Sequence, residues 1–299
     1  MSLQRKCALP KAFIKDLNFI LMMRYNRQKL LLQVAQKMCE KGIDSKTYLV
    51  KTLFLLRQKF GLEAIGYDFF PYKYGPFSNE IYADFSALEE EGLFEEKPLG
   101  LTVAGLALVE TLKANNEILS EVDKIIESYL NKEEIKKFVY DNYPEFTVNS
   151  NAPRMIRNNS EKGICSIGYE GKTIDGFLNE LSQNKINLLV DVRKNAFSMK
   201  KGFSKKQLEK HLSRANIAYL HIPELGIESE KRKNLESAED YKELFKEYKA
   251  SLPSRKQKID EVKALGEKKR IALMCFEANK DFCHRGILSD FLNQEVVHI

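Results

Sequence analysis

The residues in this sequence best suited to chemistry are two cysteines, a histidine and an arginine near its end. Cys275 closes an apolar run, and after seven intervening residues come Cys283, His284 and Arg285. Thiolates act as nucleophiles and metal ligands, imidazoles exchange protons, and guanidinium groups bind anions. The pattern predicts a buried strand over 271–274 and a helix over 286–292. Because open α/β sheets bind ligands beyond the carboxyl ends of their strands, we predict a site here.

The thiols of Cys275 and Cys283 are expected to differ in reactivity and in burial. Cys283 and His284 are predicted to begin a helix, whose dipole favours a thiolate, so Cys283 should be the more reactive thiol, with a pKa below the ordinary value. Cys275 should be the more buried, and a structural role as a small apolar residue is favoured for it over a role as a nucleophile. The candidate catalytic residues are Asp191, Cys275, Cys283 and His284.

Metal binding is a further possibility for this part of the chain. Cys275, Cys283, His284 and His221 could together supply four ligands. Their spacing is not a recognised zinc pattern, and adjacent Cys and His ligands seldom fit one tetrahedron without strain. We therefore predict no metal site, and the sequence identifies no cofactor.

A carboxylate and a guanidinium mark the end of another predicted strand, 187–192. Asp191 and Arg193 flank Val192, so their side chains point to the same side of the strand. We predict that they share a single crevice with Cys275 and residues 283–285. Asp191 is predicted either to act as an acid or base or to form an ion pair with Arg193 or Arg285, and both roles stay open. The candidate ligand-binding residues are Tyr169, Glu170, Arg193, His221 and Arg285.

A short turn with two glycines, 168–171, follows the first predicted strand of the second half. Backbone N–H groups at such a strand-to-helix turn can cradle a phosphate. The glycines can equally serve only to allow a tight turn. The sequence leaves both interpretations open.

The loop after Arg193 is basic. Between 193 and 206 there is no acidic residue. A run of positive charge beside a strand-end site favours an anionic ligand, a nucleotide or a nucleic acid. The candidate nucleic-acid-binding residues are Lys194, Lys200, Lys201, Lys205 and Lys206.

Composition limits the class of protein. The chain has 299 residues, 43% of them hydrophobic and 30% charged, with a net charge of +6, which allows two globular domains and suits an anionic partner. Five irregularly spaced cysteines argue against a disulfide framework and for a reducing, cytoplasmic location. No apolar run approaches a membrane span and no signal peptide is recognisable, so we expect no membrane partner.

The two halves differ in their predicted elements. The second half alternates strands and helices, which predicts a doubly wound parallel α/β sheet. The first half is mainly helical, with caps at Asp44 or Ser45, at Ser78 and at Thr102, and a hairpin over 93–101. We expect a first domain over 24–143, a linker over 144–160 that is rich in polar residues and proline, and an α/β domain over 161–299.

Four segments of the second half occur in the order of a known family. They are SIGYEG at 166–171, LVDVR at 189–193, HIPELG at 221–226, and the stretch from Cys275 to Arg285. Over about 164–299 the chain resembles the domain-of-unknown-function 488 family. This resemblance implies the fold and the place of the site, and no settled activity.

The first half resembles a winged helix-turn-helix over about 27–114. The order is three helices, a hairpin and a closing LTVAG at 101–105. The segment PYKYGP at 71–76 is similar to Panacea-type domains of toxin–antitoxin proteins. This combination of domains resembles prokaryotic nucleic-acid and defence systems.

A winged helix would bind DNA through its third helix, 78–91. That helix carries five carboxylates and no Lys or Arg, which would repel the phosphate backbone. Protein contact or dimerisation is therefore favoured for this domain.

A second resemblance bears on the thiol of Cys275. A strand ending in cysteine, followed by a loop and an arginine on a helix, is similar to rhodaneses and cysteine phosphatases, in which that cysteine is the nucleophile. Here the loop from Cys275 to Arg285 is longer than those anion loops and contains Glu277 and Asp281. The favoured function is the binding of a nucleotide or nucleic acid, with processing left open. The alternatives are a regulatory or interaction protein that assembles through the winged helix, and a Cys-dependent sulfur or phosphoryl transferase.

Overall fold

The computed structural model describes residues 25–95, 99–150, 161–232 and 237–299. The chain divides into two compact units: the first contains the described residues up to Asp68 together with Ser78–Asn142, and the second contains Phe69–Phe77 and Tyr143–Ile299. Most of the predicted linker, 151–160, and the tip of the predicted wing, 96–98, lie outside the described residues. No described helix has the length and apolar content needed to cross a bilayer.

The first unit is helical, as predicted. Ser45, Ser78 and Thr102 each accept a hydrogen bond from the backbone of the first turn that follows, which confirms the three predicted caps. An isolated bridge between Phe94 and Leu101 lies where the hairpin was predicted. The helices are α1 (Asn26–Glu40), α2 (Lys46–Phe60), α3 (Leu62–Ile65), α4 (Asn79–Glu90), α5 (Val103–Thr111), α6 (Asn116–Ser128) and α7 (Lys132–Asn142).

Three acidic residues of α4, Glu80, Asp84 and Glu89, have partners inside the first unit. Arg27 donates to Asp84 at 2.8 Å and to Glu80 at 3.1 Å, and the hydroxyl of Tyr67 donates to Asp84 at 2.9 Å. Lys46 donates to Glu89 at 2.6 Å. These three carboxylates therefore join α4 to other parts of its own unit.

The aromatic segment before α4 forms a hairpin that belongs to the second unit. Strand β1 (Phe70–Tyr72) pairs antiparallel with β2 (Gly75–Phe77). Phe70 is fully buried in a core shared with Phe177 and Phe203. The segment with the Panacea-like sequence thus lies with the α/β unit, because its aromatic side chains are buried there.

The second unit contains a five-stranded parallel sheet, as predicted. The strands β3 (Gly163–Gly168), β4 (Leu188–Asp191), β5 (Ala218–His221), β6 (Arg270–Cys275) and β7 (Val296–His298) lie in the order β5-β4-β6-β3-β7. Apolar clusters cover both faces, which explains the continuous apolar runs in the central strands. The helices of this unit are α8 (Ile174–Gln183), α9 (Lys205–Arg214), α10 (Ala238–Ser251), α11 (Lys256–Lys268) and α12 (His284–Phe291).

Candidate functional site

The carboxyl ends of four neighbouring strands bring the predicted site residues to one edge of the sheet. Asp191 at the end of β4 is level with Met274 of β6 and with His221 of β5. Gly168 at the end of β3 is level with Cys275 of β6. Because parallel strands end at a common edge, residues far apart in sequence become neighbours there.

Asp191 and Arg193 form a buried, bidentate ion pair. Arg193 donates from Nε to Oδ1 at 2.9 Å and from Nη2 to Oδ2 at 2.6 Å, and its backbone N–H also donates to Oδ1. The hydroxyl of Tyr219 donates to Oδ2 of Asp191 at 2.7 Å. The pKa of Tyr219 is raised, mainly because the side chain is buried and secondly because of the negative charge of Asp191. Burial alone would lower the pKa of Arg193, but its hydrogen bonds and ion pair with Asp191 raise it above the ordinary value.

Asp191 is therefore an ion-pair partner, and its partner is Arg193. The carboxylate is 0% exposed and has four hydrogen bonds, so it does not reach a ligand as an acid or base. Its effect is to position Arg193, whose Nη1 donates to the hydroxyl of Tyr169 at 2.9 Å. Of the two roles that the sequence left open for Asp191, these contacts support the ion pair, in which the carboxylate positions Arg193.

Arg285, which was predicted to bind a ligand, is buried against the loop after β6. Its side chain is 1% exposed and donates to the backbone carbonyls of Glu277 and Ala278 in the loop after β6. Because those hydrogen bonds hold the loop in place, Arg285 stabilises the site. These contacts give Arg285 a structural role, and its ligand-binding role stays a prediction.

The glycine-containing turn after β3 packs tightly against the loop after β6. The N–H groups of Tyr169 and Glu170 donate to the carbonyl of Phe276 at 3.1 and 2.9 Å. A Cβ at Gly168 would lie 1.9 Å from the carbonyl oxygen of Glu277, so only glycine fits. The carboxylate of Glu170 accepts from the N–H of Ala278 at 2.9 Å and also fastens the two loops together. Of the two open interpretations of this turn, the structure supports the tight turn, because two of its amides already have carbonyl partners.

Cys275, Cys283 and His284 form a second, fully buried group. The Nδ1 atom of His284 lies 3.6 Å from the Sγ of Cys275 and 4.0 Å from the Sγ of Cys283. The Nε2 atom of His284 lies 3.0 Å from the carbonyl oxygen of Val192, which can only accept, so Nε2 carries the proton. Cys275 also donates to the carboxylate of Glu277 at 3.4 Å.

The predicted difference between the thiols is wrong. Cys275 and Cys283 are both 1% exposed. Burial raises the pKa of the Cys283 thiol, and the neighbouring Cys275 raises it further. The helix dipole and Arg285 favour a thiolate, but the loss of hydration outweighs them. His221 is not part of this group, since its Nε2 lies 2.8 Å from the carbonyl oxygen of Arg193.

The predicted single crevice is thus two adjacent groups, one toward each face of the sheet. Tyr169 packs in the core cluster that contains Leu189, whereas Cys275 and Cys283 pack in the cluster that contains Val190. The link between the groups is the backbone around Val192, to which His284 is hydrogen-bonded.

A pocket of about 640 Å³ opens at this edge, and both groups contribute to its walls. Six of the predicted residues line it: Tyr169, Arg193, Lys194, Lys205, His221 and Cys275. The sequence analysis missed several further lining residues. Only Phe197 carried a recognisable signal, since it is an aromatic residue within the otherwise basic loop. The lining residues that were missed are Asn195, Ala196, Phe197, Ile227 and Phe276.

The lysines of the basic loop have different environments. Lys194 pairs with Glu228 at 2.6 Å. Lys200 donates to the carbonyl of Tyr169 at 2.8 Å, and burial lowers its pKa. Lys201, Lys205 and Lys206 are exposed, and Lys194 and Lys205 both line the pocket. Lys200 is therefore a residue that holds the loop, whereas the three exposed lysines present charge to solvent.

The fold and the site define a parallel α/β domain with a basic, partly aromatic pocket at the carboxyl edge of its sheet. Residues 173–292 match the family described as Domain of unknown function DUF488, in agreement with the predicted resemblance over that range. The match includes Asp191, Arg193, Cys275 and the segment from Cys283 to Arg285. A search among curated proteins found no match. The first unit lies outside the matched range, so its winged-helix resemblance stays a prediction.

Proposed function

We propose that the α/β domain binds a nucleotide or a short single-stranded nucleic acid in the pocket at the sheet edge. The observation that carries the proposal is Phe197, an aromatic residue that lines the pocket, is 71% exposed and lies within a loop of lysines. In the proposed complex a base stacks on Phe197, and phosphates lie near the exposed lysines.

The surface chemistry around the pocket supports this class of ligand. Phe276, which also lines the pocket, is 40% exposed, and the neighbouring Met199 is 92% exposed. Proteins that bind single strands combine aromatic platforms for bases with positive charge along the backbone. Arg193 contributes a buried guanidinium to the pocket wall, but its hydrogen bonds to Asp191 and Tyr169 already occupy it. The lysines are therefore the main source of attraction for an anion.

The two alternative functions gain less support from the structure. A Cys-dependent transferase needs an accessible thiolate, whereas Cys275 and Cys283 are both buried. No observation on the described residues specifically favours assembly through the first unit. We therefore keep ligand binding by the α/β domain as the proposal.

Replacement of Phe197 by Ala should weaken the binding of a short single-stranded oligonucleotide by about 1–3 kcal/mol, because it removes one stacking platform. This is roughly a 5- to 150-fold loss of affinity. Fluorescence anisotropy with a labelled oligonucleotide measures it. The matched control is Tyr241→Ala, which removes an exposed aromatic ring of the same unit that does not line the pocket and should leave binding unchanged.

Equal losses for Phe197→Ala and Tyr241→Ala would show that the effect is not specific to the pocket. Wild-type protein that binds no nucleotide or oligonucleotide, in anisotropy or thermal-shift measurements at low salt, would contradict the proposal itself.

Replacement of Lys201, Lys205 and Lys206 together by Ala should reduce the salt dependence of oligonucleotide binding. Each phosphate contact on a single strand contributes about 0.7 to the slope of log K against log salt concentration, so the slope should fall by at most about 2. Lys200 is left in place because it is hydrogen-bonded to Tyr169. The control replaces Lys242, Lys246 and Lys249, three exposed lysines of α10, and removes the same charge.

An unchanged slope in the loop variant, with binding lost instead when exposed residues of α4 are changed, would assign binding to the first unit. That outcome would overturn the proposed place of the ligand.

A further inference from the structure

We propose that Cys275, Cys283 and His284 form a zinc site next to the pocket. The ligand atoms are the two Sγ atoms and the Nδ1 of His284, all within 4.8 Å of one another. The proposal does not depend on the ligand proposed above, since it rests on the geometry of this group alone.

One sulfur–nitrogen distance in the group equals that around a tetrahedral zinc ion, and the other is 0.4 Å longer. Zn–S and Zn–N bonds of about 2.3 and 2.0–2.1 Å at tetrahedral angles place sulfur and nitrogen about 3.6 Å apart. In the structure, the Nδ1 of His284 lies 3.6 Å from the Sγ of Cys275 and 4.0 Å from the Sγ of Cys283. The adjacent residues Cys283 and His284 therefore can present their ligand atoms to one ion. This removes the steric objection that the sequence raised against a metal.

The protonation of His284 is also the one that a metal ligand needs. Its Nε2–H donates to the carbonyl of Val192 at 3.0 Å, so in the neutral ring the lone pair is on Nδ1, which faces the two thiols. A histidine that ligates a metal through one nitrogen almost always donates from the other to a carbonyl, a carboxylate or a water. Val192 thus supplies the outer contact that would orient the ring.

The charges in the group suit a divalent cation. Two thiolates and one neutral imidazole balance the charge of Zn²⁺, and the carboxylate of Glu277, 3.4 Å from the Sγ of Cys275, adds a negative charge beside them. Sulfur and imidazole ligands in a tetrahedral arrangement select zinc over the harder divalent ions. Cys275 and Cys283 lie in an apolar cluster, and Arg285 holds the loop that connects them.

The number of ligands indicates the kind of zinc site. Among the described residues the group contains no fourth side chain whose ligand atom lies within this distance of all three. Three protein ligands leave one position for water or for a group of the substrate, as in catalytic zinc sites, whereas structural sites have four. Because Cys275 also lines the pocket, the proposed ion lies next to the space in which a ligand would bind.

The test uses the full chain, stripped of metal by a chelator under reducing conditions and then titrated with Co²⁺ and Zn²⁺. We expect one equivalent of Co²⁺ to bind, with thiolate-to-cobalt charge-transfer absorption that added Zn²⁺ abolishes. Because Zn²⁺ would bind the folded state, it should also raise the melting temperature of the wild type. These wild-type measurements do not depend on whether any variant folds.

Replacement of Cys275, Cys283 or His284 by Ala should weaken metal binding by more than about 100-fold, since even outer contacts of a metal site contribute 10- to 100-fold. The matched control is Cys165→Ala, which removes another buried thiol of the same unit outside the group. Circular dichroism checks that each variant is folded.

Two results would overturn the zinc site. They are a wild-type protein that binds no Co²⁺ under reducing conditions, and Co²⁺ binding that survives Cys283→Ala.

Discussion

Replacement of Asp191 by Asn should lower the free energy of unfolding of the α/β unit by about 3–5 kcal/mol, because it leaves a buried guanidinium without its carboxylate. Asp191 is 0% exposed and Arg193 only 5% exposed, so water cannot replace the lost partner. The hydroxyl of Tyr219 also loses its charged acceptor. Urea unfolding gives the change, with hydrogen–deuterium exchange by mass spectrometry assigning it to peptides of the second unit.

The matched control for Asp191→Asn is Glu228→Gln, which breaks the ion pair with Lys194. The side chains of Lys194 and Glu228 are 35% and 56% exposed, so this change should cost less than about 1 kcal/mol. Equal effects of the two variants would mean that burial of the Asp191–Arg193 pair does not set its contribution. In that case Arg193 would have another sufficient partner, and the positioning role of Asp191 would be wrong.

Replacement of Asp84 by Ala should destabilise the first unit by about 3 kcal/mol, the lower end for a broken buried ion pair, since Arg27 keeps some contact with water. The carboxylate accepts hydrogen bonds from Arg27, Gln28 and Tyr67 at 2.8–2.9 Å. Tyr67 is fully buried, so its hydroxyl would lose a partner that water cannot supply. Hydrogen–deuterium exchange of peptides from α1 and α4 reports this loss separately from the second unit.

The control for Asp84→Ala is Asp123→Ala in the same unit. Asp123 pairs with Lys37 at 2.7 Å, but its side chain is 43% exposed, so its loss should cost less than about 1 kcal/mol. If Asp84→Ala were as mild as this control, the acidic residues of α4 would not be explained by packing within the unit. A role in contact with a partner would then be the better explanation of those carboxylates.

Much of both units was predictable because the signals are local. Continuous apolar runs mark the central strands of the α/β unit, and Ser45, Ser78 and Thr102 mark helix starts of the first unit through hydrogen bonds within one turn. The hairpin Phe70–Phe77 was harder to assign. Its aromatic residues adjoin α4 in sequence, yet they are buried in the core of the other unit. The sequence around the hairpin does not indicate which of the two cores will bury it.

At the candidate site, the positions of the residues were predictable from the sequence, whereas their roles depended on the tertiary structure. The sequence determined which residues meet at the sheet edge, because each follows a strand whose carboxyl end lies there. It left open what those residues do, since burial and partners depend on side chains distant in sequence. Asp191 became an ion-pair partner because the structure buries it with Arg193 and Tyr219. The helix start at Cys283 suggested a reactive thiolate, but desolvation reversed that expectation.

The clearest contrast is at Cys283 and His284. The sequence by itself determined that a thiol and an imidazole begin α12, and their adjacency argued against a shared metal ion. Only the tertiary structure decided where the two side chains point. The carbonyl of Val192, far away in the chain, binds Nε2 of His284 and thereby turns Nδ1 toward both thiols. Spacing along a chain constrains ligand geometry weakly, because the directions of side chains are set by contacts that form only when the strands are assembled.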